Sequence, residues 1–469
     1  MKDKFIIALF MAVLLVFMVW EIISPDRAVS EAENRKLAAV PEMSRAGLAS
    51  GKLMSDFESY ATDQFPIRDM WVKTKNIADI ALGKTDNGRV YYGKGGNLFQ
   101  IDDIDVNRLR KNIGYINDFY EQVKLQYPDV TMGVLPIPSS WNVEGSLLPA
   151  HAPVADEEGA MGLIRDGLSD GIDFCDPTKA LKVAFENGEY VYYRTDHHWT
   201  SDGAYLGYRE WAESMGLIPP DAEEFTVRTV SEDFLGTGDS KAGLPWTRPD
   251  VIKVYDRKGF DEVKMYVKGK LPDVPAGDKA VGEGGETGNN GSVSGVGTGN
   301  NGNMSGAEAG NNGSMSGVGT GNNGGVSGAE AGNNGSMSGA EANTENISDE
   351  GYVQSESLDN VPEGMFNESK LLTKDKYAYF LGGNDPVVRI DTDAGNGKTL
   401  LVVKDSFANC FVPFLTSHYE HIILLDLRYY KDGLETFFKK NGVESVLLLY
   451  GAVQLANDRN LFYLQMSKG

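Results

Sequence analysis

The sequence predicts a three-layer α/β/α fold around a mostly parallel sheet, and two patterns predict it. Segments 130–137 (VTMGVLPI), 399–404 (TLLVVK), 421–426 (HIILLD) and 443–450 (VESVLLLY) are short, nearly unbroken apolar runs. A strand with one wet face alternates apolar and polar residues, so runs without alternation belong to strands covered on both faces. Segments of helical periodicity lie between these runs, and strands alternating with helices build a parallel sheet with helices on either side.

Taken in order, the chain opens with Lys2 and Lys4 ahead of an unbroken apolar run over 5–20, which Ile22 and Ile23 extend past Glu21. A spanning helix needs about 20 residues and a signal-peptide core about 7–15, so this segment stands between the two. An uncleaved anchor over 1–23 is the expectation; cleavage near Ala28-Val29-Ser30 is the alternative. Both leave the lysines inside and the bulk of the chain outside, and the uncleaved anchor predicts a single-pass cell-membrane protein. An arm over 24–101 follows. It holds Ser30-Glu31-Ala32-Glu33-Asn34-Arg35, helical segments at 54–65 and 69–81, and a β-rich stretch at 90–101 with a Gly-Lys-Gly-Gly turn.

The main domain is expected in two parts, 102–271 and 350–469. Residues 105–127 form an amphipathic helix with Leu109, Ile113, Ile116 and Phe119 on one face. Segments 171–175, 190–194 and 376–381 read as further strands, and 202–214 as a helix. Between the parts, 272–349 is an insertion carrying five tandem 11-residue units over 288–342, the first being GNNGSVSGVGT. Gly, Asn and Ser dominate the units, which cannot bury enough apolar surface to offset the entropy of ordering; a flexible linker is expected, with a short β-helix as the alternative.

Acidic residues outnumber basic ones 67 to 44, which argues against a nucleic-acid partner, since that would need a basic stripe. The two cysteines, Cys175 and Cys410, match no metal-ligand spacing and read as free, buried thiols.

Chemistry concentrates in three segments. The first is Tyr192-Tyr193-Arg194-Thr195-Asp196-His197-His198-Trp199-Thr200, where two of only five histidines adjoin. An Asp two residues before a His can accept the imidazole Nδ1–H, which fixes the tautomer and leaves Nε2 as a base. That spacing selects His198 over His197 as the base. The second segment, Lys404-Asp405-Ser406, ends an apolar run and opens a turn or helix. A Ser there can serve as nucleophile with its own N–H free for an oxyanion, or can merely cap the helix. The third is Gly382-Gly383-Asn384-Asp385, whose glycines permit close backbone approach and whose Asn amide can donate to an oxyanion.

Asp196-His197-His198-Trp199, with Thr200 and Gly203-Ala204-Tyr205, resembles the DHHW protein family of Gram-positive bacteria, which is similar to the alginate O-acetyltransferase proteins AlgX and AlgJ. Gly-Gly-Asn at 382–384, Asp405-Ser406-Phe407-Ala408-Asn409, the arm motif and the anchor extend the resemblance over nearly the whole chain except the repeats. It implies an SGNH-hydrolase-like fold, with the acidic residue and His upstream of the Ser, and a triad of Asp196, His198 and Ser406. It also implies O-acetyl transfer or hydrolysis on a cell-surface glycan, without cofactor, beside a membrane-bound O-acyltransferase. Lys404 stands where ordinary SGNH enzymes have Gly, which leaves the oxyanion hole open. Gly383, Asn384, Trp199, His197 and Arg194 are the candidates for oxyanion or substrate contacts. Other readings compete: the Asp-His-His string also resembles the DHH phosphoesterases, which hold manganese with scattered aspartates and histidines; Asp196, His197 and His198 could form a zinc site, although neighbouring side chains rarely converge on one ion; and the domain could be a glycan-binding module without catalysis. Tyr192, Tyr193 and Trp199 could then stack on sugar rings or simply pack the core.

Overall fold

The computed structural model describes residues 2–30, 35–257, 263–267 and 364–467. The 272–349 insertion with its repeats, and residues 31–34 of the arm motif, lie outside them.

Seven strands form the central sheet, numbered here in chain order: β1 (Thr131–Ile137), β2 (Ile172–Phe174), β3 (Lys264–Val267), β4 (Val387–Asp391), β5 (Thr399–Lys404), β6 (His421–Leu425) and β7 (Ser445–Gly451). Their spatial order is β2-β1-β7-β5-β6-β4-β3. The pairs from β2 through β6 are parallel, whereas β4 runs antiparallel to both β6 and β3. The sheet is therefore mixed, with a parallel centre and an antiparallel edge. β5 is its central strand, flanked by β7 and β6, and every one of its residues is buried.

The two faces of β5 divide the core. Leu400 and Val402 pack with Trp199, Tyr208, Trp211 and Phe411 on one side. Leu401 and Val403 pack with Leu109, Ile116 and Phe119 on the other. Helix Val106–Gln126 supplies that second layer. Its buried residues recur at three- and four-residue spacing, and Asp105 caps it by accepting from Arg108 N–H. The opposite layer is helix Ser201–Ser214, capped by Thr200, whose hydroxyl accepts from Gly203 N–H and donates to Tyr190 O. Close approach requires Gly203: a Cβ there would stand 2.3 Å from Val191 O.

Helix Lys2–Ile23 is the one described helix long and apolar enough to span a membrane. Its Phe17 ring stacks on Phe65 and meets Trp71 edge-on, so helices Lys52–Gln64 and Arg68–Ala81 pack beside its C-terminal half.

Two expected strands are not strands. Residues 190–194 join no sheet; the segment folds back on itself through Tyr193 N–H to His198 O and Thr200 N–H to Val191 O. Within 376–381 the chain forms a 3-10 turn, Lys376–Tyr379, followed by positive φ at Leu381, Gly382 and Gly383. Their apolar residues are mostly aromatic, and they fill the space under the loops instead of pairing: Tyr192, Tyr193, Tyr379 and Phe380 are all fully buried. An antiparallel hairpin, Phe225–Phe234 with Asp250–Arg257, was not anticipated because its exposed face and register shifts hide the alternation.

Candidate active site

The parallel strands end at one edge of the sheet, and open α/β sheets place their sites there. At the end of β5 the chain turns sharply. Asp405 is the residue that caps the 3-10 turn Ser406–Ala408, its Oδ1 accepting from Phe407 N–H at 2.9 Å. Its Oδ2 accepts from Gly451 N–H at 2.8 Å, which ties the ends of β5 and β7 together. Burial pushes the Asp405 carboxyl up to about 6. Since Asp405 does the capping, Ser406 keeps its hydroxyl for another partner.

That partner is His198, whose Nε2 lies 2.8 Å from Ser406 Oγ. The other ring nitrogen, Nδ1, lies 2.5 Å from Asp196 Oδ1, and the same oxygen accepts His198 N–H at 3.0 Å. Burial raises the Asp196 carboxyl, but the two adjacent imidazoles and donors from His198 and Thr237 outweigh it and hold it below the usual carboxylate range. An ionised Asp196 accepts only, so Nδ1 carries the proton and Nε2 presents its lone pair to the Ser406 O–H. Residues 208 positions apart thus form one hydrogen-bonded relay, the arrangement that activates a serine hydroxyl.

The loop carrying Asp196 is held from the hairpin. Asp250, fully buried, accepts from Arg194 N–H, Thr195 N–H and the Thr195 hydroxyl. Thr237 donates both N–H and Oγ–H to Asp196 Oδ2, at 2.8 and 3.0 Å. Because its proton goes to Asp196, its oxygen accepts from His197 Nδ1–H at 2.9 Å. A Cβ at Gly236 would lie 2.3 Å from Asp196 Cβ, so glycine lets this strap approach. Tyr377 stacks on the His198 ring at 4.0 Å and 10°, and donates to Ser406 O at 3.0 Å. Sequence reasoning missed Thr237, Asp250 and Tyr377. Gly-Thr-Gly at 236–238 was a legible sign of close backbone approach; nothing marked Tyr377 or Asp250.

The remaining candidates sort differently. His197 lies 3.9 Å from the His198 ring, and burial pushes it down to about 3, so it is neutral. Trp199 is fully buried, donates to Phe407 O and stacks on Phe411, so it packs the core instead of offering a face to substrate. Arg194 is bound to Asp250 and Pro249 O, a support of the loop. Gly383 N–H donates to Phe380 O within its turn, so it is already engaged. Asn384 Oδ1 accepts from Lys404 Nζ at 3.0 Å and from Asn409 Nδ2 at 3.3 Å. Cys175 and Cys410 are free and buried, and burial pushes both thiols up to about 12.

Ligand-type atoms of Asp196, His197 and His198 lie within 4.8 Å of one another. A cation bound through Nδ1 of both rings would displace the protons that Asp196 and Thr237 now accept.

Residues 90–251 match the family model described as the SGNH hydrolase-like domain of acetyltransferase AlgX, a span that takes in Asp196 and His198 and ends before Ser406. The domain is SGNH-hydrolase-like. Among solved structures, it is similar to a DHHW family protein from Eubacterium siraeum, with 19% identity, a TM-score of 0.52 and coverage of 81% of this chain and 96% of that one. Bacillus cereus PatB1, solved with a sulfonyl adduct, aligns at 17% identity and a TM-score of 0.52, covering 81% and 98%. The O-acetyltransferase domain of Pseudomonas putida AlgJ aligns at 11% identity over 79% and 93%, but its TM-score of 0.38 carries no weight. At these identities the likeness is one of fold. No curated protein matches the chain in sequence.

Proposed function

We propose that this chain is an extracytoplasmic O-acetyltransferase or acetylesterase that acts on a cell-surface polysaccharide through Ser406, His198 and Asp196. The observation that carries the reading is the unbroken chain Ser406 Oγ–His198 Nε2, His198 Nδ1–Asp196 Oδ1. Support for acetyl chemistry comes from the AlgX family match, and support for an envelope location from the N-terminal apolar helix.

In this mechanism Ser406 Oγ attacks the acetyl carbonyl while its proton passes to His198 Nε2, and Asp196 stabilises the imidazolium. The tetrahedral oxyanion collapses, the donor's C–O bond breaks, and His198 returns the proton to the leaving oxygen. A sugar hydroxyl or water, deprotonated by the same Nε2, then attacks the acetyl-Ser406 ester, and the serine recovers its proton. Ser406 N–H has no partner among the described residues and is a ready oxyanion donor.

Treatment with a sulfonyl fluoride, followed by mass spectrometry, tests the reading. An adduct on Ser406, with hydrolysis of a nitrophenyl acetate that Ser406→Ala abolishes, is the expected result. Sugar binding without adduct or turnover would replace it with a glycan-binding module.

A further inference from the structure

Lys404 is the residue where this chain departs from Gly-Asp-Ser, and its side chain is 1% exposed between two carboxamides. Its Nζ lies 3.0 Å from Asn384 Oδ1 and 2.6 Å from Asn409 Oδ1. An ammonium donates and cannot accept, so both amides must turn oxygen toward it, which settles an orientation that amide symmetry otherwise leaves open. Asn409 Nδ2 donates in turn to Asn384 Oδ1. With its oxygen held by two donors, Asn384 must direct Nδ2 the other way, and that Nδ2 has no partner among the described residues. Asn409 follows directly on the Ser406 turn, its N–H donating to Ser406 O, so the cluster is built onto the nucleophile's own loop.

We propose that Lys404 is a positioning residue whose buried ammonium locks the Asn384 and Asn409 carboxamides oxygen-inward, so that Asn384 presents its Nδ2 donors to the oxyanion formed at Ser406. This rests on the serine-enzyme reading above and adds to it the group that orients the oxyanion hole. It also accounts for a lysine in place of glycine: a cation two residues before the serine compels what a neutral residue would leave free.

The lock depends on charge. Burial pushes Lys404 down to about 8, against Asp426, Asp405 and Asp385, which favour the cation, and Arg428, which opposes it. The folded value is depressed, so the ammonium is present below about 8 and is lost as pH rises through it. A neutral amine can accept, and neither amide is then compelled to present oxygen.

The test is kinetic, on a nitrophenyl acetate, with a sulfonyl fluoride as the separate probe of Ser406. Lys404→Met should lower kcat by about 10²-fold, the loss typical of one oxyanion donor, with KM little changed. The double variant with Asn384→Ala should be no worse than Asn384→Ala alone, and wild type should lose activity above pH 8 along a limb that Lys404→Met lacks. Asn409→Asp sets a carboxylate against Nζ and should move that limb to higher pH, which decides the matter even if Lys404→Met fails to fold. Labelled Ser406 with an unchanged kcat in Lys404→Met, additive losses in the double variant, or an unmoved limb in Asn409→Asp would each overturn the role of Lys404 alone. An unlabelled wild-type Ser406 would instead remove the serine reading and this inference together.

Discussion

At the scale of single residues, the relay divides its work between two histidines that look alike in sequence. His198 touches both Ser406 and Asp196, whereas His197 donates to Thr237 and packs on the His198 ring. Single alanine variants, compared on a small acetyl ester, should separate them: His198→Ala should lose most activity and His197→Ala much less, provided both melt cooperatively. The larger loss in a folded His197→Ala would reverse the assignment. Members of a relay act as a unit, so Ser406→Ala and Ser406→Ala with His198→Ala should be about equally inactive. Thr237→Val keeps the backbone donor to Asp196 but loses the hydroxyl, a hydrogen bond to a charged group worth about 1.5–3 kcal/mol. Its kcat should drop by roughly tenfold or more, with KM nearly constant.

At the scale of elements, what could be read from sequence followed how local each signal is. β5 was legible to the residue, because six consecutive buried positions between two covered faces leave a pattern no loop shares. The spacing Asp196-x-His198 was legible because the bond from His198 N–H to Asp196 Oδ1 is local. Residues 190–194 misled because burial, not pairing, explains their aromatics, and a loop packed under a site looks like a strand. Tyr377 and Asp250 reach the site only through tertiary contacts, and no neighbouring residue announces them. The helix after the motif is the element most exposed to a packing test. Gly203→Ala would force a Cβ to 2.3 Å from Val191 O, and overpacking of this kind costs about 1–3 kcal/mol. The thermal midpoint should fall and activity should fall with it, because helix and loop share this contact. An unchanged midpoint would mean that the loop yields freely and is less tightly held than its hydrogen bonds imply.

At the scale of the whole molecule, the candidate active-site residues arrive from two stretches that the 272–349 insertion separates, Asp196 and His198 before it and Ser406 after it. Strand β7, which pairs with β5 at the serine edge, also pairs with β1 from the earlier stretch over seven residue pairs, Ser445↔Thr131 through Gly451↔Ile137. The core therefore closes through sheet pairing whatever the length of chain between its parts, and loop-closure entropy grows only slowly, about 0.6 kcal/mol per doubling of length. The repeat composition adds no apolar surface that a core would miss. Deleting 272–349 and joining the ends by a short Gly-Ser linker should leave the melting midpoint within a few degrees and esterase activity intact, since no relay residue lies in the deleted stretch. Loss of cooperative melting would assign the repeats a structural role. The proposed topology gives the companion test in cells, because an anchor with Lys2 and Lys4 retained inside would put both stretches of the domain outside. Protease added to intact cells stripped of their wall should therefore digest the domain of the full-length and the deleted chain alike, and protection of either would place the active site on the wrong side of the membrane for a surface polysaccharide.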